Sequence, residues 1–321
     1  MHKQCSGGCF AYGVQGAIGS MTIIAALGLV LCSLSLYKHH IKDRIPIEYS
    51  SDIWREWPML LTFSLPSMLS AFMMAPAIWS TNSILVNQPK GYAELGLFNA
   101  ANQWGNMLMV IPALMSSAIL PILSETFGNE DKADFKRMVT FNIHTTWIVA
   151  LPLTVSLATF GFSLSSLYGQ QFHAAAPMIA ILMVATFLNI VNWAIGSAFA
   201  GSGRMWTGSV MNFGWAITLV ATAYFMIPIL GGKGLAFAFL ISYFVHTLWQ
   251  MAYLELRIAR FAVTIHWKLA IFTLLLFVLC IAMSLYHCED YVLSSIVSVI
   301  SAVPLLIYVR TKTRQHRLIE V

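Results

Sequence analysis

Four amides, Asn99, Asn102, Gln103 and Asn106, recur at i, i+3, i+4 and i+7 inside one long apolar stretch. On a helix that spacing puts them on one face. Amides donate and accept hydrogen bonds without carrying charge, so the face suits uncharged polar groups such as sugar hydroxyls. In hydrocarbon, an amide without a partner is costly. The row therefore either lines a wet cavity or bonds across to a neighbouring helix as packing glue. Trp79, Ser80, Thr81 and Asn82 could extend the same wall from the preceding apolar stretch. Their alternative is an aromatic interfacial anchor with a polar cap.

Two cations stand where an anion could be met. Lys90 lies between the two candidate helices, and Arg204 closes the short turn Gly201-Ser202-Gly203-Arg204. Either could touch a phosphate group, the chemistry for which lysine and arginine are suited. Lys90 could equally be a solvated loop charge, and Arg204 a cytoplasmic anchor. Glu94 falls in the first turn of its helix, where an acid complements the macrodipole. His246 is the titratable group expected nearest the middle of a span, either as a proton carrier or as a hydrogen-bonded packing histidine. His144 belongs about one turn inside the other end of its helix. No intramembrane acid, metal-ligand cluster, phosphate loop or nucleophile with a base is recognisable, so neither cofactor, metal nor enzymatic activity is expected. The five cysteines supply no framework: Cys5 and Cys9 read as unpaired, and Cys32 and Cys280 as small hydrophobes within apolar stretches.

The elements that hold these residues follow from composition. Apolar residues make up 58% of the chain and charged residues 10%, against about 25% charged in soluble domains. An apolar run of about 18 residues or more reads as a bilayer-spanning helix. Nine such runs occur, at 13–37, 58–85, 94–123, 140–168, 174–200, 206–229, 234–256, 267–286 and 290–309. None alternates as a barrel strand does. The expected fold is all-α, a polytopic transmembrane helical bundle of about nine spans. The first run lacks the basic start and small-residue cleavage pattern of a signal peptide.

With nine spans the loops alternate sides, and fifteen of the eighteen lysines and arginines fall on one side; only Lys3, Lys90 and Lys233 fall on the other. The basic side is cytoplasmic by the positive-inside rule. That places the chain in the cytoplasmic membrane with its C-terminus inside. The net charge of +5 is accounted for by this bias, and no nucleic-acid partner is implied. The loops leave no room for a soluble catalytic domain on either side.

One composition break divides the chain. The charged stretch 38–57, carrying Pro46, separates the first run from the others. The first helix opens Gly13-Val14-Gln15-Gly16-Ala17 and the seventh opens Gly231-Gly232-Lys233-Gly234-Leu235. If the similarity is a repeat, helix 1 is the counterpart of helix 7, the last of a six-helix lobe whose other members are not in this sequence.

At this point a family resemblance emerges. The stretch 91–128 resembles the second helix of the C-terminal lobe of Wzx-type flippases, exporters of lipid-linked oligosaccharide in the multidrug/oligosaccharidyl-lipid/polysaccharide superfamily. The likeness lies in its start at Ala93–Ala101, in Pro112 and Pro121, and in its end at Ser124–Gly128. The stretch 63–70 is similar to the opening of the preceding helix, and 198–216 to the short turn between the lobe's fourth and fifth helices. The resemblance covers roughly residues 10–260, and the last two helices fit the family's optional extra pair.

It implies the last helix of a first lobe (1–37), an interlobe linker (38–57), a six-helix lobe (58–256), an added helix pair (257–309) and a basic tail (310–321). It also implies flipping of a polyprenyl-pyrophosphate-linked glycan by alternating access, for surface polysaccharide synthesis. Membrane lipids and polysaccharide-assembly proteins are the implied partners. The missing first lobe departs from the family pattern and keeps two other readings open: an inactive fragment or half-transporter subunit, and a membrane enzyme such as a polymerase or acyltransferase. The last predicts a long outward loop with clustered Arg, His or Asp, and the sequence has none.

Overall fold

The computed structural model describes residues 13–43, 57–258, 267–286 and 290–319. Cys5, Cys9, Pro46 and most of the 38–57 stretch lie outside them. Every regular element among the described residues is helical. Eight helices are long and apolar enough to cross a bilayer, and a ninth carries a shorter apolar stretch at Thr22–Lys38.

The chain divides into two units, Met1–Trp57 and Pro58–Val321. The first contains helix α1 (Gly13–Asp43), whose apolar side chains Ile24, Leu29 and Leu36 are all exposed within the unit.

The second unit holds α2 (Trp57–Val86), α3 (Gly91–Leu108), α4 (Val110–Gly128), α5 (Lys132–Thr159), the short α6 (Gly161–Ser166), α7 (Ala176–Gly201), α8 (Met205–Leu230), α9 (Gly232–Tyr253), α10 (Trp267–Leu285) and α11 (Tyr291–Ile319). Helix α7 is the axis. It touches α3, α4, α5, α8, α9 and α10 and is buried along most of its length. A helix apolar on every side belongs at such a centre. Phe187, on α7, anchors the packing, with Trp147 of α5 edge-on at 5.0 Å and Phe277 of α10 at 5.1 Å between ring centroids. Helix α2 packs chiefly on α8, and α11 on α5.

Small residues set the closest approaches. A Cβ on Gly201 would meet Leu123 Cβ at 2.7 Å, so α4 and α7 lie almost backbone to backbone there. Ala194 and Ala198 are buried on the same helix, while Gly196 faces open space. Asn142 of α5 donates to the Ala194 carbonyl at 3.1 Å.

Prolines shape two spans. Pro66 has no N–H to give, and α2 opens with a π turn over Leu60–Ser64, in which the Leu65 amide reaches the Leu60 carbonyl. The Leu61 carbonyl is thereby released. It accepts instead from the Trp206 indole of α8 at 3.0 Å. The single run expected at 94–123 is Gly91–Gly128, broken at Met109. Pro112 cannot serve the Leu108 carbonyl, and the Met109 amide turns to the Asn106 carbonyl at 3.2 Å.

Candidate transport site

Helix α3 has two contrasting faces. Phe98, Ala101 and Gly105 are buried, and a Cβ on Gly105 would meet Thr186 Oγ1 of α7 at 2.5 Å. Opposite, Asn99, Gln103 and Asn106 are exposed and Asn102 is half-buried. None of the four side chains makes a hydrogen bond among the described residues. Seven residues of helix make the row about 10 Å long. Within this unit the amides face outward, and they do not act as glue between its own helices.

The polar face continues onto α7, which the sequence did not reveal. Asn106 and Met109 lie one turn apart at the helix break, and Asn189 of α7 places its Nδ2 3.5 Å from Met109 Sδ. Beyond it, Asn189, Trp193, Gly196 and Ala200 fall at i, i+4, i+7 and i+11 and, with Leu188 beside them, make up the part of α7 that is not buried. Trp193 is 46% exposed. The spacing was readable, but the uniform apolarity of this helix concealed which line its neighbours leave uncovered.

One turn of α7 away, Asn192 is 5% exposed and neither of its side-chain polar atoms has a partner. Trp79 and Asn82 stand on α2, beside α3. Trp79 is 72% exposed, and Asn82 is half-buried with its Oδ1 enclosed and unpartnered. No hydrogen bond joins either to the amide row.

The two candidate cations lie at opposite ends of the helices. Lys90 sits in the α2–α3 turn, exposed, with a left-handed backbone at φ 60°. Asn87 and Gln88 close α2 by donating to the Ser83 and Ile84 carbonyls at 2.8 and 3.4 Å. Arg204 stands between the far end of α7 and the start of α8, and its guanidinium donates to the Tyr253 hydroxyl of α9 at 3.3 Å. Helix direction sorts the remaining charges likewise. Lys132, Lys136, Arg137, Arg257, Lys268 and Arg310 belong to the Arg204 end, and Lys233 to the Lys90 end.

Glu94 does more than complement its own helix. Its Oε2 accepts the Gly232 amide at 3.0 Å, capping α9 from a helix 138 residues away in sequence. Gly231 makes this possible by adopting φ 57°. His246 is buried. Its Nδ1 lies 3.2 Å from the Met211 carbonyl and its Nε2 2.8 Å from Gln250 Nε2. The carbonyl can only accept, so Nδ1 carries the proton and Nε2 accepts from the amide. Both ring nitrogens are satisfied in the neutral form.

An all-α bundle of apolar spans with an uncharged polar face on its axis and on α3 is a multi-pass membrane protein of the inner-membrane type. The chain belongs to the polysaccharide biosynthesis protein family, whose pattern matches residues 12–177. It is 27% identical over 180 residues to the EPS I polysaccharide export inner membrane protein EpsE of Ralstonia nicotianae, covering 53% of this chain and 40% of that protein. The protein of the same name from Ralstonia solanacearum is 28% identical over 178 residues, with the same coverage. The chain thus spans about two-fifths of the length of the curated relatives it matches. Among solved structures, a MOP superfamily transporter from Pyrococcus furiosus aligns with a TM-score of 0.56 at 16% identity, over 70% of this chain and 52% of that one. At that identity the likeness is one of fold.

Proposed function

We propose that this chain forms one wall of a lipid-linked oligosaccharide flippase, carrying a polyprenyl-pyrophosphate glycan across the cytoplasmic membrane by alternating access. The observation that carries the reading is the unpartnered amide row Asn99, Gln103 and Asn106, exposed within a bilayer-length span. Lipid is a poor neighbour for such a row, so it needs water, glycan or an opposing protein wall. Asn189 and Trp193 extend it with an amide and an aromatic face, the groups that hold sugar rings. Family membership and the likeness to export proteins support a glycan cargo.

In this reading residues 1–37 belong to a first lobe, 38–57 link it to the six-helix lobe 58–256, and 257–309 add a pair. The basic end and the C-terminus face the cytoplasm. Lys90 then stands at the outer mouth, where a pyrophosphate would leave. Polysaccharide-assembly proteins are the partners this reading implies.

The test replaces Asn99, Gln103 and Asn106 together with leucine in cells whose surface glycan depends on this chain. The expected result is at least about tenfold less export with unchanged membrane abundance, since no buried packing is touched. Unchanged export would overturn the cavity.

A further inference from the structure

A second recess lies away from the amide face, at the end of the lobe where the basic residues gather. It encloses about 790 Å³ between α4, α5 and α11, within the range of about 300–1,000 Å³ typical of small-ligand sites. One face of α5 supplies most of the wall. Lys136, Arg137, Thr140, Phe141 and His144 fall at i, i+1, i+4, i+5 and i+8 and all line it. Ile119 and Ile122 of α4 form the apolar side. Tyr308 of α11 closes it, its hydroxyl held 3.2 Å from Thr145 Oγ1.

The recess is amphipathic along its length. Helix α5 begins at Lys132, so Lys136 and Arg137 lie one turn inside its end, whereas Phe141 and His144 sit deeper. The cations are at the mouth and the hydrocarbon is within. Lys136 is half-buried. Among the described residues Arg137 pairs with Asp134 alone, at 4.0 Å, across side chains 78% and 55% exposed. Such a pair is worth at most about 1 kcal/mol and leaves the guanidinium open to a stronger anion.

We propose that this recess binds an anionic glycerophospholipid, its phosphate at Lys136 and Arg137 and an acyl chain along Ile119, Ile122 and Phe141. A soluble anion would gain nothing from the apolar half, and a neutral lipid nothing from the cations. Basic recesses between transmembrane helices at the membrane surface hold anionic headgroups by this combination. The site does not depend on the glycan reading.

The experiment titrates the purified full chain in detergent with phosphatidylglycerol, counting bound lipid by native mass spectrometry. Each surface cation contributes about fivefold in affinity, so Lys136→Gln with Arg137→Gln should weaken binding about thirtyfold. Arg257→Gln with Lys268→Gln removes two cations from the same end but outside the recess and should change it by less than about twofold. Equal losses in the two double variants would overturn the site in favour of diffuse charge. Displacement of phosphatidylglycerol by inorganic phosphate would make it a soluble-anion site. Stronger binding of polyprenyl phosphate than of phosphatidylglycerol would assign it to the cargo's lipid. Phosphatidylcholine binding as tightly as phosphatidylglycerol would remove the role of charge. Each of these results overturns the proposal.

Discussion

Replacing Glu94 with alanine should loosen the attachment of α3 to α9, and the size of the effect can be worked from the contact. Helix α9 starts at Gly232 with amides that have no acceptor in their own helix. Glu94 Oε2 takes one of them at 3.0 Å, from a half-buried position. Loss of a capping acceptor costs about 0.5–2 kcal/mol, and a carboxylate beside a helix N-terminus adds about 0.3–1 kcal/mol. A total of about 2 kcal/mol lowers Tm by roughly 4–8 °C in a unit of this size.

With Cys5, Cys9, Cys32 and Cys288 changed to serine, the fully buried Cys280 thiol meets a thiol-reactive dye on melting and reports it. Glu94→Gln keeps an acceptor without the charge and should show about half the drop. Gly232→Ala would bring a Cβ to 2.9 Å from the same oxygen and 2.8 Å from Met178 Cε. It should therefore displace the carboxylate, and combining it with Glu94→Ala should cost less than the sum of the two. Groups in contact couple by about 0.5–3 kcal/mol. Wild-type melting of Glu94→Ala, or strict additivity with Gly232→Ala, would refute the cap.

Two further substitutions separate structure from transport. Lys90 holds φ 60°, a conformation costing a non-glycine residue about 1–2 kcal/mol. Lys90→Gly should raise Tm by a few degrees; if the ammonium meets a pyrophosphate at the outer mouth, export falls although the protein is more stable, and unchanged export removes that role. Thr273 accepts the buried Trp147 indole N–H at 3.1 Å and ties α10 to α5. Thr273→Val should cost about 1–3 kcal/mol by stranding that donor, Thr273→Ser should restore most of it, and equal melting of the two variants would show the bond to be idle.

The spans were legible because a bilayer imposes its demands locally. Apolar length and the side on which lysines fall are properties of short segments, and most helices run close to the expected limits; the run expected at 140–168 is instead α5 from Lys132 to Thr159, followed by the short α6. What stayed hidden was relational. Glu94 in a first turn satisfies its own helix dipole on sequence grounds, and nothing nearby names Gly232 as its partner. Pro66, Pro76, Pro112, Pro121, Pro152 and Pro177 all fall within expected spans, and any of them could bend its helix. Only the ladder shows that Pro66 releases the Leu61 carbonyl to Trp206, and that the long Gly91–Gly128 helix breaks just ahead of Pro112. The amide row was visible by its period. Its continuation through Asn189 and Trp193 was not, because an axial helix is apolar all round and only its neighbours decide which line stays open.

The break at Met109 has a mechanical consequence for that face. Helix α3 is fixed at two points along its buried side, by Gly105 against Thr186 and by Glu94 on Gly232. Helix α4 is fixed separately, by Ser116 to Ser197 at 3.0 Å and by Leu123 against Gly201. Between them, the amide of Ala113 reaches the Met109 carbonyl at only 3.4 Å, and Pro112 contributes no bond. A long backbone link therefore falls at the Asn106 end of the amide row. Both contacts of α4 and the Gly105 contact of α3 are to α7, so the break sets the angle between α3 and α4 while each half stays packed on the same axis. In the flippase proposed above, that packing would keep Asn99, Gln103 and Asn106 at one place on the axis of the lobe while cargo passes.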